Sequence, residues 1–187
     1  LFDGCVIAPG FVNTHAHIEY AAYDALIDGR NFSGWISDHV RRKRRLNPEH
    51  MRASANFGAM EALYGGITTI GDASFSGDAA HAMHDAGLRG RAYLEVFGAH
   101  DEAAAADAVT ATIERLEDLP TSELLSHGIS PHAPYTVSEA LYRAVDATGL
   151  PWMTHFLESQ DEIDFLQGRG SMFEAMQSKA SRCPIGT

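Results

Sequence analysis

Short apolar, β-branched runs alternate with longer helical segments along this 187-residue chain, five times over. The runs cover residues 11–17, 67–70, 91–97, 124–130 and 151–156. Helix signals fill the gaps. Asn47-Pro48-Glu49 combines an N-cap, a proline at the first helical position and an acid in the first turn, and Gly65-Gly66 closes that segment. Ser76-Gly77-Asp78 opens a second helix that Gly87 ends. Residues 101–118 are rich in strong helix formers, Ser138-Glu139 starts a helix that Gly149 stops, and residues 159–168 form a short one. Strand–helix alternation predicts parallel strands, because parallel neighbours need a long return connection. The fold class is therefore α/β, as a doubly wound open sheet or a (β/α)8 barrel. Neither G-x-G-x-x-G nor a P-loop is present, which weighs against a nucleotide-binding open sheet. The polar and basic connection after the first run is too long for a plain βα loop and predicts a functional lid.

Chemistry gathers at the ends of the predicted strands. His15 and His17 are two apart, so on a strand they project from one face. Paired imidazoles suit zinc and similar borderline metals, whereas unmetallated they leave buried donors and acceptors to satisfy. His132 ends the fourth run, and His155, with Glu158 three residues on, ends the fifth. Active sites of parallel α/β folds lie at the strand C-terminal edge. A metal with open coordination beside a carboxylate activates water, and Glu158 would be the general base and proton shuttle. His39, His50, His81, His84, His100 and His127 lack this context and read as solvated or packed histidines, His39 in the long connection being the least settled. Asp72 reads as a turn residue or a support for the site. Glu19 is open between a substrate or histidine contact and a solvent-facing loop carboxylate. Trp35, Phe32 and Tyr135 are candidates to wall a pocket for a planar ring, or to pack on one another.

Charge narrows the function classes. Acidic residues outnumber basic ones 25 to 14, a formal net charge of −11, which argues against nucleic-acid or membrane-surface partners. The basic cluster at residues 41–45 reads as a solvated helix face or a lid edge. No apolar run approaches the roughly 18 residues of a spanning helix. Cys5 and Cys183, without a CxxC pattern, fit a reducing cytoplasm. The chain opens Leu-Phe-Asp-Gly and ends abruptly, which predicts a piece of a longer protein.

The segments APGFVNTHAH, GGITTIGDAS, SPHAPYTVS and THFLESQDEIDFL, in that order, resemble the amidohydrolase superfamily. Within it they are similar to the aminohydrolase branch of guanine, S-adenosylhomocysteine and aminodeoxyfutalosine deaminases and triazine hydrolases. The resemblance implies a partial (β/α)8 barrel of about five βα units over residues 9–187, with residues 1–8 the trace of an accessory β-rich domain. It implies His15, His17 and His155 as ligands of one divalent ion, zinc ahead of iron or manganese. Glu158 would move protons between water and leaving group. His132 would contact the substrate or the developing tetrahedral centre, with Glu19 and Trp35 as further substrate contacts. A small-molecule substrate, hydrolytic deamination of an amino-substituted N-heterocycle or nucleoside-like compound, and a homodimer follow from the same likeness. Hydrolysis of a cyclic amide or a triazine C–Cl bond, or metal binding without turnover, are the alternatives. The family's sixth-strand histidine and eighth-strand aspartate have no counterpart in this sequence.

Overall fold

Four parallel strands follow one another in chain order, and each return path carries a helix. The structure is a computed structural model that describes residues 3–23, 29–98, 101–170 and 173–174, so His100 and Cys183 lie outside the described residues. The strands are β1 (Phe11–Ala16), β2 (Ile67–Ser74), β3 (Arg89–Val96) and β4 (Leu125–Pro131), hydrogen-bonded in the order β1-β2-β3-β4. Between them run a 3-10 turn (Ile18–Tyr23) and helices α1 (Phe32–Lys43), α2 (Pro48–Tyr64), α3 (Asp78–Asp85) and α4 (Glu102–Glu117). Helices α5 (Glu139–Asp146) and α6 (Gln160–Leu166) follow β4. Strand order equals chain order, so each pair of parallel neighbours is joined by a single crossover connection. Among the described residues no helix is long and apolar enough to cross a membrane.

The helix starts form where the sequence marks them. Asn47 accepts the His50 amide at 2.8 Å while the His50 ring faces the Asn47 amide, and Pro48 occupies the first turn. Asp101, Ser138 and Ser159 cap α4, α5 and α6 in the same way. Met51, Ala55, Ala59 and Ala62 recur at helical spacing and bury one face of α2. That face is narrow because the 3-10 turn presses on it: a Cβ at Gly58 would lie 2.7 Å from the Ile18 carbonyl oxygen. One apolar cluster joins α2 and α3 to Ile70, Leu88 and Leu125, and a second joins α4 and α5 to Leu94, Val96 and Ile129.

Two expectations need correction. The second strand continues through Gly71-Asp72 to Ser74, because Asp72, Ala73 and Ser74 pair in register with Ala92, Tyr93 and Leu94. The close approach comes from the neighbour, where a Cβ on Gly90 (φ +149°) would lie 1.8 Å from the Ile70 carbonyl oxygen. The fifth run is an extended segment rather than a regular strand. It bonds along β4 at Ile129 N–Pro151 O (3.1 Å), Met153 N–Ile129 O (3.2 Å) and His155 N–His132 O (2.9 Å). Pairing lapses between the last two, so only Trp152 forms a bridge.

Candidate metal centre and substrate cavity

The strand C-terminal ends converge on one cavity of about 340 Å³. His15, His17, His132, His155, Glu158 and Trp35 all line it, drawn from positions up to 143 residues apart in number. Phe32 and Tyr135 line it too, as aromatic walls. The long connection folds over the strand ends as α1, which contributes Trp35, His39 and Lys43 to the wall. Such a volume is in the range of small-ligand sites.

The geometry of the histidines fixes their hydrogens. His17 Nδ1 lies 2.9 Å from the Ala73 carbonyl oxygen, and His155 Nδ1 lies 2.9 Å from that of His132. A carbonyl oxygen only accepts, so both Nδ1 atoms carry hydrogen and both Nε2 atoms present lone pairs. Those Nε2 atoms face each other at 2.9 Å. Burial, then the neighbouring His155 and His15, push His17 down to about 3, so a shared proton does not relieve the repulsion at neutral pH. A cation does. His15 closes the third side, its ring nearly perpendicular to both others at centroid distances of 5.0 and 4.9 Å. The donor atoms of His15, His17 and His155 lie within 4.8 Å of one another. The residues present fit a divalent metal, with each donor oriented by a backbone carbonyl or left toward the cavity.

The neighbouring residues divide into supports and walls. Asp72 is fully buried beneath the site, accepting the Ile18 amide at 2.8 Å, and so anchors the turn that follows His17. Leu157, immediately before Glu158, has a left-handed backbone (φ 57°), a conformation that side-chain-bearing residues adopt at a cost. Burial raises the Glu158 carboxyl above its ordinary value, and the nearby His15 partly offsets this. Burial likewise holds His132 well below its usual value, with His155 and His17 adding to the effect.

His132 lines the cavity with its ring anchored at one nitrogen: Nδ1 lies 2.7 Å from Thr136 Oγ1. The Ala133 carbonyl, 3.0 Å from that hydroxyl, also accepts the amides of Thr136 and Val137. Glu19 requires an outright correction. Its carboxylate is fully buried and does not line the cavity. It accepts from the amides of Phe75 (2.9 Å), Ser76 (3.0 Å), Gly77 (3.1 Å) and Ala79 (3.2 Å) and from the hydroxyls of Ser74 and Ser76. Gly77, at the start of α3, has no side chain to cap the helix, and Glu19 performs that task from the 3-10 turn.

Two cavity residues, Glu95 and Lys43, escaped the sequence reading, and His39, the least settled of the histidines, joins them on the wall. Glu95 ends β3 with a carboxylate that burial pushes up to about 8, despite the opposing pull of Lys43. A charged residue late in the apolar run 91–97 was the available signal. Lys43 extends its ammonium over the Phe75 ring, 3.4 Å from the centroid. Its entry into the wall depends on how α1 folds back, which no local pattern encodes. His39 stacks on Trp35 at 5.2 Å and meets Tyr20 edge-on at 4.5 Å, with Nδ1 buried and unpartnered.

Comparison with known proteins gives a consistent family. A family model described as the amidohydrolase family matches residues 6–180. The chain is 33% identical over 146 residues to 5-methylthioadenosine/S-adenosylhomocysteine deaminase of Thermococcus kodakarensis, covering 76% of this chain and 34% of that protein. It is similar in structure to Helicobacter pylori aminofutalosine deaminase in complex with methylthio-coformycin, with TM-score 0.74 and 24% identity over 92% of this chain and 43% of that one. It is also similar to atrazine chlorohydrolase TrzN of Arthrobacter aurescens TC1 complexed with zinc, with TM-score 0.66 and 19% identity over 91% of this chain and 46% of that one. The chain thus spans between a third and a half of the length of these relatives, in keeping with a parallel sheet that forms part of a barrel.

Proposed function

The chain belongs to the amidohydrolase family, and from that premise we propose that it carries the metal-binding face of a hydrolase that deaminates an amino-substituted N-heterocycle or nucleoside-like compound in the cytoplasm. The observation that supports this most is the pair of opposed Nε2 lone pairs of His17 and His155, 2.9 Å apart, with His15 beside them. In this reading His15, His17 and His155 hold one divalent ion, zinc being the ion in the TrzN complex. When bound, such an ion supplies water activation, lowering the pKa of a coordinated water toward ~7. Glu158, half-buried and biased toward its protonated form, takes a proton on its carboxylate and returns it to the ring nitrogen and the departing amine. His132 Nε2 hydrogen-bonds the substrate or the developing tetrahedral centre. Trp35, Phe32 and Tyr135 exclude water from the faces of a planar ring.

The test is Glu158→Gln in the purified, zinc-loaded protein, with adenosine and 5-methylthioadenosine as substrates. The expected result is unchanged zinc content and ammonia release reduced at least about 100-fold, in line with general acid–base contributions. Retained ammonia release would reject Glu158 as the shuttle. Chloride release from a chlorotriazine without ammonia release from either nucleoside would favour the C–Cl hydrolase reading.

A further inference from the structure

One member of the basic run at residues 41–45 turns inward. Lys43 lines the cavity together with Phe32, Trp35, Ile36, His39 and Val40. These positions recur at three- and four-residue spacing, so they form one face of α1. Arg41, on the other face, is exposed and pairs with Asp38 at 2.7 Å. The inward face does not rest on a packed core. Phe32 joins the cluster of Tyr135 and Phe173, but among the described residues Trp35, Ile36 and Val40 belong to none of the three apolar clusters and border the cavity of about 340 Å³ instead. A helix lying over open volume lacks the dispersion contacts that a packed core supplies. The Lys43 ammonium reaches beyond that volume to the strand ends. It lies 3.4 Å from the ring centroid of Phe75, the residue after β2, and 5.9 Å from those of Tyr20 and of Phe97, the residue after β3. A cation within about 6 Å of a ring centroid is attracted to the ring face, more strongly where water is displaced.

We propose that Lys43 is the latch of a lid: its ammonium, seated on Phe75, holds α1 and its Trp35 across the cavity, and lifting it off the ring admits the ligand. The latch ties the last turn of α1 to the ends of β2 and β3, while Phe32 meets Phe173 at the first turn and His39 meets Tyr20 between them. A single cation–π contact has the strength a latch needs, since its loss shifts a local opening equilibrium by a modest factor and leaves the fold intact. Lys43 acts through α1 rather than on the reacting atoms, so it is a positioning residue. The latch needs neither metal nor turnover.

The test is thiol labelling of the metal-free full chain. Cys5→Ser and Cys183→Ser clear the background, and Ile36→Cys places one thiol on the inner face of α1. Its rate of reaction with iodoacetamide, a neutral reagent, reads the open population. Lys43→Met, similar in length but uncharged, should raise that rate by about 3- to 10-fold. Phe75→Leu should raise it equally, and the two together no further than either alone, because each removes the same contact. Lys43→Arg, which keeps a cation over the ring, should label at the parent rate. Urea unfolding of the Lys43 variants should match the parent, which separates lid opening from loss of the fold. An unchanged rate in Lys43→Met overturns the proposal, as do additive effects of Lys43→Met and Phe75→Leu or a Lys43→Arg variant as fast as Lys43→Met. A rise in labelling matched by an equal loss of unfolding stability also overturns it, since Lys43 would then support the fold as a whole. If Phe75→Leu does not fold, the two Lys43 variants decide on their own.

Discussion

The Glu162 carboxylate accepts the backbone N–H of Glu158 at 2.9 Å. That amide directly follows the left-handed Leu157, so a residue one helical turn downstream holds the strained turn that aims Glu158 into the cavity. Glu162→Ala should leave zinc affinity within about threefold and lower kcat by roughly 10- to 100-fold, since small misplacement of a reacting group is costly. Steady-state kinetics with parallel zinc titration checks this. An equal loss of zinc affinity would show that Glu162 supports the whole edge rather than the turn.

The histidine assignment predicts a sharp split among variants. His17→Ala or His155→Ala should weaken zinc binding by about 100-fold or more, because each removes a ligand already oriented by a carbonyl. His39→Ala, on the lid wall, should change it by less than about threefold. Competition titration against a chromophoric chelator measures all three. Comparable losses in His39→Ala would move the ion away from the strand ends.

Glu19 should matter for stability rather than for substrate. Glu19→Ala strands buried amide donors at the start of α3 and removes the contact between the 3-10 turn and β2. The expected loss is about 3 kcal/mol in urea unfolding, the scale of several donors left without a charged acceptor. Substrate affinity of the remaining folded protein should be unchanged.

Stability of the metal-free protein should peak near pH 6.5. Glu95 is raised to about 8 in the folded state, so between its ordinary value and 8 the folded chain holds a proton that the unfolded chain has released. Folded-state proton excess makes stability fall as pH rises through that window. The buried histidines act oppositely. His17, lowered to about 3, and His39, lowered to about 4 by burial and Lys43, bind protons when unfolded, so stability falls as pH drops below 6.5. From pH 6.5 to 8, Glu95→Gln should lose about 2 kcal/mol less than wild type, at ~1.4 kcal/mol per pH unit for one group. Denaturant titrations at the two pH values test it, and parallel slopes would assign the titration elsewhere.

Residues that follow strand periodicity were legible in the sequence. His15 and His17 share a face because a strand repeats every two residues, and the remaining strand-end histidine and carboxylate positions followed from the same βα alternation. The caps Asn47 and Ser138 were readable because the signal and its structural partner are three residues apart. Glu19 was not readable. Its partners lie 55–60 residues away, and whether a loop carboxylate meets substrate, solvent or a helix end depends on tertiary packing. Lys43 escaped for the same reason: a basic run marks a polar helix face, but one lysine of that run turns inward across aromatic rings.

His17 and His155 are separated by 138 residues of chain. An ion that bridges them is a cross-link between the first strand and the last extended segment. It closes a loop that contains all the intervening helices and strands. By the chain-entropy relation for cross-links, confining an unfolded chain across a loop of that size corresponds to about 5 kcal/mol, if the ion stays bound on unfolding. If the ion departs on unfolding, the stabilisation is instead RT ln(1 + c/Kd), where c is the zinc concentration, and grows with c. On the proposed reading the reactive centre would also be the clasp of the fold, and a cell short of metal would hold this protein in a looser, more readily proteolysed form.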